Sequence, residues 1–271
     1  MSFGPLVDSD WLHTHLDDVR VRVIDFRWYL LERDGREEYL RGHVPGAAFV
    51  DLEAVTGREG GGRHPLPTAG QFDEAMRRAG VGDGTQVVVY DDAGGSIAAR
   101  LWFLLRWFGH DAQAVLDGGL QAWGAPIDQV IPELPPGDFT AREPDRSVVV
   151  DFEAVRELRG VPLLDARAPE RYRGETEPVD PKAGHIPGAK SRPWKSNLGP
   201  DGRFKAKDDL RREFVELGAE GGAVAYCGSG VNACHNLLAM ELAGMTEGRL
   251  YAGSWSDWSS RDAPVATGAQ P

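Results

Sequence analysis

The chain has 271 residues, 41% apolar and 27% charged, which is the make-up of a globular protein large enough to fold without disulfide staples. Its net charge of −12 excludes a general affinity for nucleic acid or anionic membranes, and no run approaches the roughly eighteen apolar residues of a membrane span. Two cysteines, and a start (MSFGPLVDSDWLHTHL) without a basic or apolar leader region, exclude a secreted disulfide framework and make a reducing cytoplasm the expectation.

Taken in order, the elements occur twice. VRVIDFR (21–27) reads as a short strand, and GHVPGA (42–47) as a tight turn. QFDEAMRRAG (71–80) has the spacing of an amphipathic helix. QVVVYD (86–91) is a buried strand leading through a Gly-rich turn into an apolar helical run that ends at Gly109, and AVLDGGLQAW (114–123) follows. Residues 128–147, DQVIPELPPGDFTAREPDRS, are rich in proline and charge and read as a surface linker. Then VPLLDAR (161–167) echoes the first strand and GHIPGA (184–189) the turn. DDLRREFVELG (208–218) is a second amphipathic helix. GAVAYC (222–227) is again a strand before a Gly-rich turn, with a helix expected from Val231 to Leu242 and closed by Gly244; RLYAGSWSDW (249–258) completes the copy. Strands alternating with helices predict an α/β fold in two tandem domains, each a parallel β-sheet flanked by helices. The expected bounds are 1–127 for the first domain, 128–147 for the linker and 148–271 for the second.

The duplication works as an internal control, because a residue kept in both copies serves the fold and one present in a single copy is free to serve chemistry. His43 and His185 precede the same turn and are expected to anchor it; Asp25 and Asp165, and Trp123 and Trp258, are kept in the same way. Cys227 is not kept. Its counterpart is Asp91, in a loop one residue longer, so the second domain is expected to be catalytic and the first not.

The turn CGSGVNA should make that thiol reactive. The following helix points its positive end at the loop, Gly228 and Gly230 let successive N–H groups curl into an anion-binding nest, and Ser229 adds a hydroxyl donor. Cys234 and His235 lie in the helical segment. With no second ligand pair in view, no metal site is expected, and Cys234 reads as a small core residue.

The duplicated GH[VI]PGA turn, YCGSGVNAC and the closing GSWSDW together resemble the two-domain sulfurtransferases of the rhodanese family over residues 5–265. The resemblance implies a five-stranded parallel sheet in each half, no cofactor, and ping-pong transfer through a Cys227 persulfide cradled by Gly228, Ser229, Gly230, Val231, Asn232 and Ala233. A neutral CGSGV loop is similar to that of family members that use 3-mercaptopyruvate, which assigns Ser229 a catalytic donor role; the family's usual threonine is here Asn232. ERYRGETEP has no match in the first half, and its Arg171, with Arg173 second, is implied to hold the donor's carboxylate. Ser254, Trp255 and Asp257 are expected to line the site. The implied partners are a small anionic sulfur donor and a thiophilic acceptor, cyanide or a thiol such as that of thioredoxin. A monomer is expected.

Three other readings meet the same residues. A thiosulfate donor keeps the persulfide mechanism. A phosphatase of related fold needs an arginine six residues after the cysteine, where this chain has Ala233. A binding module of this family typically lacks the cysteine that Cys227 supplies.

Overall fold

In each half the central strand, Gln86–Tyr90 or Ala223–Tyr226, is a mostly aliphatic run buried on both faces, the pattern that requires helices on either side. The computed structural model describes residues 3–31 and 33–271. In the first unit, strands β1 (Leu6–Val7), β2 (Val21–Asp25), β3 (Ala48–Phe49), β4 (Gln86–Tyr90) and β5 (Gln113–Leu116) form one parallel sheet in the order β1-β5-β4-β2-β3. The second unit repeats it with β6 (Val149–Val150), β7 (Leu163–Asp165), β8 (Lys190–Ser191), β9 (Ala223–Tyr226) and β10 (Gly248–Tyr251), ordered β6-β10-β9-β7-β8 and again all parallel. The two expected amphipathic helices run over Ala69–Arg78, where the Thr68 hydroxyl and the Gln71 side chain cap each other's backbone, and over Lys207–Glu216.

The residues kept in both copies build one repeated support. Asp25 accepts from the Arg27 guanidinium at 2.6 Å, and Arg27 donates to the Gly42 carbonyl at 2.7 Å; Asp165, Arg167 and Gly184 repeat this at 2.6 and 2.6 Å. His43 stacks on Tyr39 and hydrogen-bonds its carbonyl, as His185 does with Tyr172. Both histidines are fully buried and hold the turn that follows the helix before it.

The units do not divide where composition places the boundary. The first comprises Met1–Thr56, Pro67–Asp145 and Asp201–Arg203; the second comprises Gly57–Leu66, Arg146–Pro200 and Phe204–Pro271. Residues 128–145 are strapped to the first unit rather than free. Asp128 bridges His43, the N–H of Gly137 donates to the Arg77 carbonyl, and Phe139 is buried against Phe72. One buried phenylalanine in a polar, proline-rich stretch leaves no periodicity to detect. Gly57–Leu66 precedes the Ala69–Arg78 helix in sequence yet belongs to the second unit, and it matters for the site.

Candidate active site

Strand β9 is buried throughout and delivers Cys227 to its carboxyl end, where open parallel sheets hold their ligands. The cysteine is 1% exposed. Its N–H donates to Ser254 Oγ at 3.1 Å, its carbonyl accepts from the Trp255 N–H at 3.0 Å, and the Gly228 carbonyl accepts from the Ser256 N–H at 2.9 Å. The loop is thus laced to the turn after β10. Gly230 has φ +82°, and a Cβ there would sit 2.6 Å from the Ala252 carbonyl oxygen, so a side chain is excluded both by conformation and by space. Ser254, at φ +54°, is the one non-glycine residue with positive φ among the described residues, and its hydroxyl bonds to Cys227 and to the Tyr251 carbonyl hold it there. The helix then runs Ala233–Leu242, two residues later than expected, because Val231 and Asn232 complete the turn.

The copy in the first unit exposes what such a loop is built to hold. Asp91 ends β4 as Cys227 ends β9. Its carboxylate accepts four backbone N–H bonds, from Ala93, Gly95, Ile97 and Ala98, all at 2.7–2.9 Å. That is an anion nest already filled by the protein's own carboxylate. In the second unit the equivalent side chain is a thiol.

Beside Cys227 lies a ring of polar groups. Ser229 Oγ and His64 Nδ1 are 2.8 Å apart, a hydrogen bond whose direction follows the imidazole tautomer, and both side chains are buried. His64 arrives on Gly57–Leu66, a loop closed by the Gly57 N–H to the Pro65 carbonyl. Glycines let it approach closely: a Cβ at Gly61 would lie 2.4 Å from the Asp257 carboxylate, and one at Gly62 2.4 Å from the Gly253 carbonyl oxygen. The Arg63 N–H donates to Ser256 Oγ at 3.0 Å, and its guanidinium pairs with Asp180. Asp180 also accepts from Arg171 at 3.2 Å, and Arg171 reaches Glu177 at 2.6 Å. Burial raises the proton affinity of the Asp180 carboxyl above the ordinary carboxylate value, with the two arginines opposing. A Cβ placed on Gly228 would be 3.0 Å from Arg63 Nη2 and 3.4 Å from Arg171 Nη1, so both guanidiniums border the loop beside the thiol.

Of the residues singled out from sequence, Cys227, Gly228, Ser229 and Arg171 come together. Gly230, Val231 and Ala233 are buried and shape the loop, with Asn232 half-buried between them. Two correct the expectation. Trp255 is fully buried in the core, its indole N–H donating to the Lys182 carbonyl and its ring covered by the Arg167 guanidinium at 4.5 Å, so it is packing rather than a wall for substrate. Arg173 pairs with Glu175 at the surface, where that exposed carboxylate attracts it, and Arg171 alone of the pair turns inward. Asp257 serves the turn as well, accepting from the Tyr251 hydroxyl and Arg261. Arg63 and His64 were missed. Their signal is GGGRHP (60–65), a glycine run before two polar residues inside an aperiodic loop. Cys234 Sγ donates to the Gly230 carbonyl, and His235 stacks on Phe204 and accepts from Asn197. Among the described residues no cluster of three metal-binding side chains occurs, and no helix is long and apolar enough to cross a membrane.

A pair of five-stranded parallel sheets, one with a thiol and one with a carboxylate at the same strand end, defines a tandem α/β protein. The rhodanese-like domain profile matches residues 8–126 and 151–261, and the chain belongs to the rhodanese family. It is an enzyme, a sulfurtransferase. A Pseudomonas aeruginosa protein provisionally named 3-mercaptopyruvate sulfurtransferase is 44% identical over 284 residues, covering 99% of this chain and 100% of the relative. A Mycobacterium tuberculosis protein provisionally named thiosulfate sulfurtransferase SseB is 42% identical over 256 residues, covering 89% and 88%. The crystal structure of SseA from Escherichia coli, described as a 3-mercaptopyruvate sulfotransferase with the rhodanese fold, superposes with a TM-score of 0.82 at 34% identity, covering 93% of this chain and 98% of that one.

Proposed function

We propose that this sulfurtransferase takes the thiol sulfur of 3-mercaptopyruvate onto Cys227, where it becomes the outer sulfur of a persulfide, and passes it to cyanide or to a thiol, thioredoxin included. The observation that carries the reading is the convergence of a strand-end thiol, a hydroxyl–imidazole pair and an inward arginine around one glycine-lined loop. The loop and the positive end of the helix behind it favour an anion, first the Cys227 thiolate and then the terminal sulfur it carries. Arg171 holds the donor's carboxylate as a planar fork.

The thiolate attacks the donor sulfur, an S–S bond forms, and the donor's C–S bond breaks with its electron pair passing to carbon as the enolate of pyruvate. The proton from the donor thiol ends on that carbon, and the Ser229–His64 pair is placed to carry it. The product pair is pyruvate and the Cys227 persulfide anion. Cyanide then attacks the outer sulfur, leaving as thiocyanate and returning the thiolate. No oxidant is consumed.

A thiosulfate donor is the second reading, favoured by the relative from M. tuberculosis and by a second guanidinium near the loop. Steady-state turnover with each donor, with cyanide as acceptor and Cys227→Ser as control, separates the two. The proposal expects the higher kcat/KM with 3-mercaptopyruvate and none in the variant; a higher value with thiosulfate would replace the donor and keep the persulfide.

A further inference from the structure

We infer that Arg63, which comes from the first half of the sequence, is a donor-binding residue that grips the oxyanion end of the sulfur donor together with Arg171. The inference deepens the sulfur-transfer reading and rests on Cys227 being the acceptor of the donor's sulfur.

Three observations carry it. Arg63 and Arg171 approach the same point, 3.0 and 3.4 Å from where a Cβ on Gly228 would lie, one residue beyond the thiol. Gly228 is therefore the gap through which both reach the loop, and any side chain there would displace at least one of them. Next, both guanidiniums are held by one strut: the two oxygens of Asp180, 3% exposed, take Arg63 Nη1 and Arg171 Nη2 separately. A shared carboxylate orients both forks and lowers their mutual repulsion without using all their donors. Finally, donors are left over. Arg63 Nε is buried without a partner, and among the described residues neither Arg63 Nη2 nor Arg171 Nη1 donates to any protein acceptor. The buried Arg63 Nε is costly to leave unpaired, and a carboxylate or sulfonate seated beside Gly228 would meet the open Nη2 and Nη1 donors with charge-assisted bonds.

Arg63 is fixed well enough to do this. Its backbone N–H is bonded to Ser256, whose own N–H is bonded to the Gly228 carbonyl, so arginine and loop share one support. The neighbouring His64 meets Ser229 from the same short segment. One loop therefore brings both an oxyanion grip and the partner of the catalytic hydroxyl. The chemistry gripped is a small anion with two or three coplanar or clustered oxygens, and both an α-keto carboxylate and a thiosulfate fit that class.

The test compares wild type, Arg63→Ala and Arg63→Lys, each checked for a native unfolding transition, with 3-mercaptopyruvate and with thiosulfate against cyanide. The inference expects KM for the preferred donor to rise about 10- to 100-fold in Arg63→Ala, with kcat changed less than about threefold and KM for cyanide unmoved. Arg63→Lys, which keeps the charge and loses the fork, should fall between. An unchanged donor KM, or a loss confined to kcat, overturns it. If wild type prefers thiosulfate, the donor reading fails, while Arg63 stands or falls on whether the thiosulfate KM rises. Should wild type turn over neither donor, alkylation of Cys227 by iodoacetamide decides: protection by pyruvate or thiosulfate that is lost in Arg63→Ala supports the inference. Equal protection in both proteins, or none in wild type, overturns it.

Discussion

The Nδ1 atom of His64 lies 2.8 Å from the hydroxyl of Ser229, a residue 165 positions further along the chain. Ser229 follows Cys227 by two residues, so the hydroxyl–imidazole pair belongs to the same loop as the thiol. Both side chains are buried, and the pair can move a proton without bulk water.

The pair should act as a unit. Ser229→Ala and His64→Phe are each expected to lower kcat for 3-mercaptopyruvate by about a hundredfold, and the double variant by little more than either. Steady-state kinetics of the three proteins checks this. Losses that multiply would mean the two side chains work independently.

Gly230 should tolerate no side chain. Its φ of +82° and the 2.6 Å approach of a Cβ to the Ala252 carbonyl force the loop to move, and the opposing atom is backbone. Gly230→Ala is expected to cost about 2 kcal/mol or more in urea unfolding and to lose most turnover. Wild-type stability and rate in that variant would mean that the loop geometry is not what holds Cys227.

Asp91→Asn should loosen the first unit alone. An amide keeps one acceptor oxygen and turns an N–H₂ group toward backbone donors, breaking the pattern of four accepted bonds. A loss of about 2–3 kcal/mol is expected, with kcat per folded molecule retained. Calorimetry with activity measured on the same samples reads both. A large loss of kcat in folded protein would contradict the division of labour between the two loops.

Acid should weaken the support behind the Ala233–Leu242 helix. Burial works against ionisation of Glu213, but bonds from Lys205 and Arg192 outweigh it and hold the carboxyl below its ordinary value. A depressed folded pKa gives stability that is present above the unfolded value, near ~4.3, and lost as pH falls through the folded one. Arg192 also donates to Asn197, which donates to His235 in the Ala233–Leu242 helix. Glu213→Gln is expected to cost about 1 kcal/mol or less at neutral pH, since the group is partly solvated, and nothing at an acid pH that protonates the folded carboxyl. Unfolding free energies of the two proteins at both pH values are the check; a gap that widens in acid has the wrong sign.

Much of this was legible because the chain is written twice. Short apolar strands and punctuating glycines mark the sheets, and the repeat sets Cys227 against Asp91 at the same strand end. Arg171 stood out for the same reason. What escaped is tertiary. Arg63 and His64 sit in an aperiodic loop whose glycines acquire meaning only through the close approach to Asp257 and Gly253. Trp255 carries no mark in sequence that tells a core indole from a substrate wall; its burial and the Lys182 carbonyl decide it. Phe139, likewise, anchors a stretch whose prolines and charges disguise it as linker.

The most direct test of sulfur passage through Cys227 is the intact mass of the protein after brief exposure to 3-mercaptopyruvate, followed by peptide mapping. The account predicts a gain of one sulfur atom on Cys227, absent in Cys227→Ser, leaving Cys234 unmodified and removed by cyanide with release of thiocyanate. Turnover of 3-mercaptopyruvate with no sulfur gained at Cys227, or with the gain on Cys234, would contradict it.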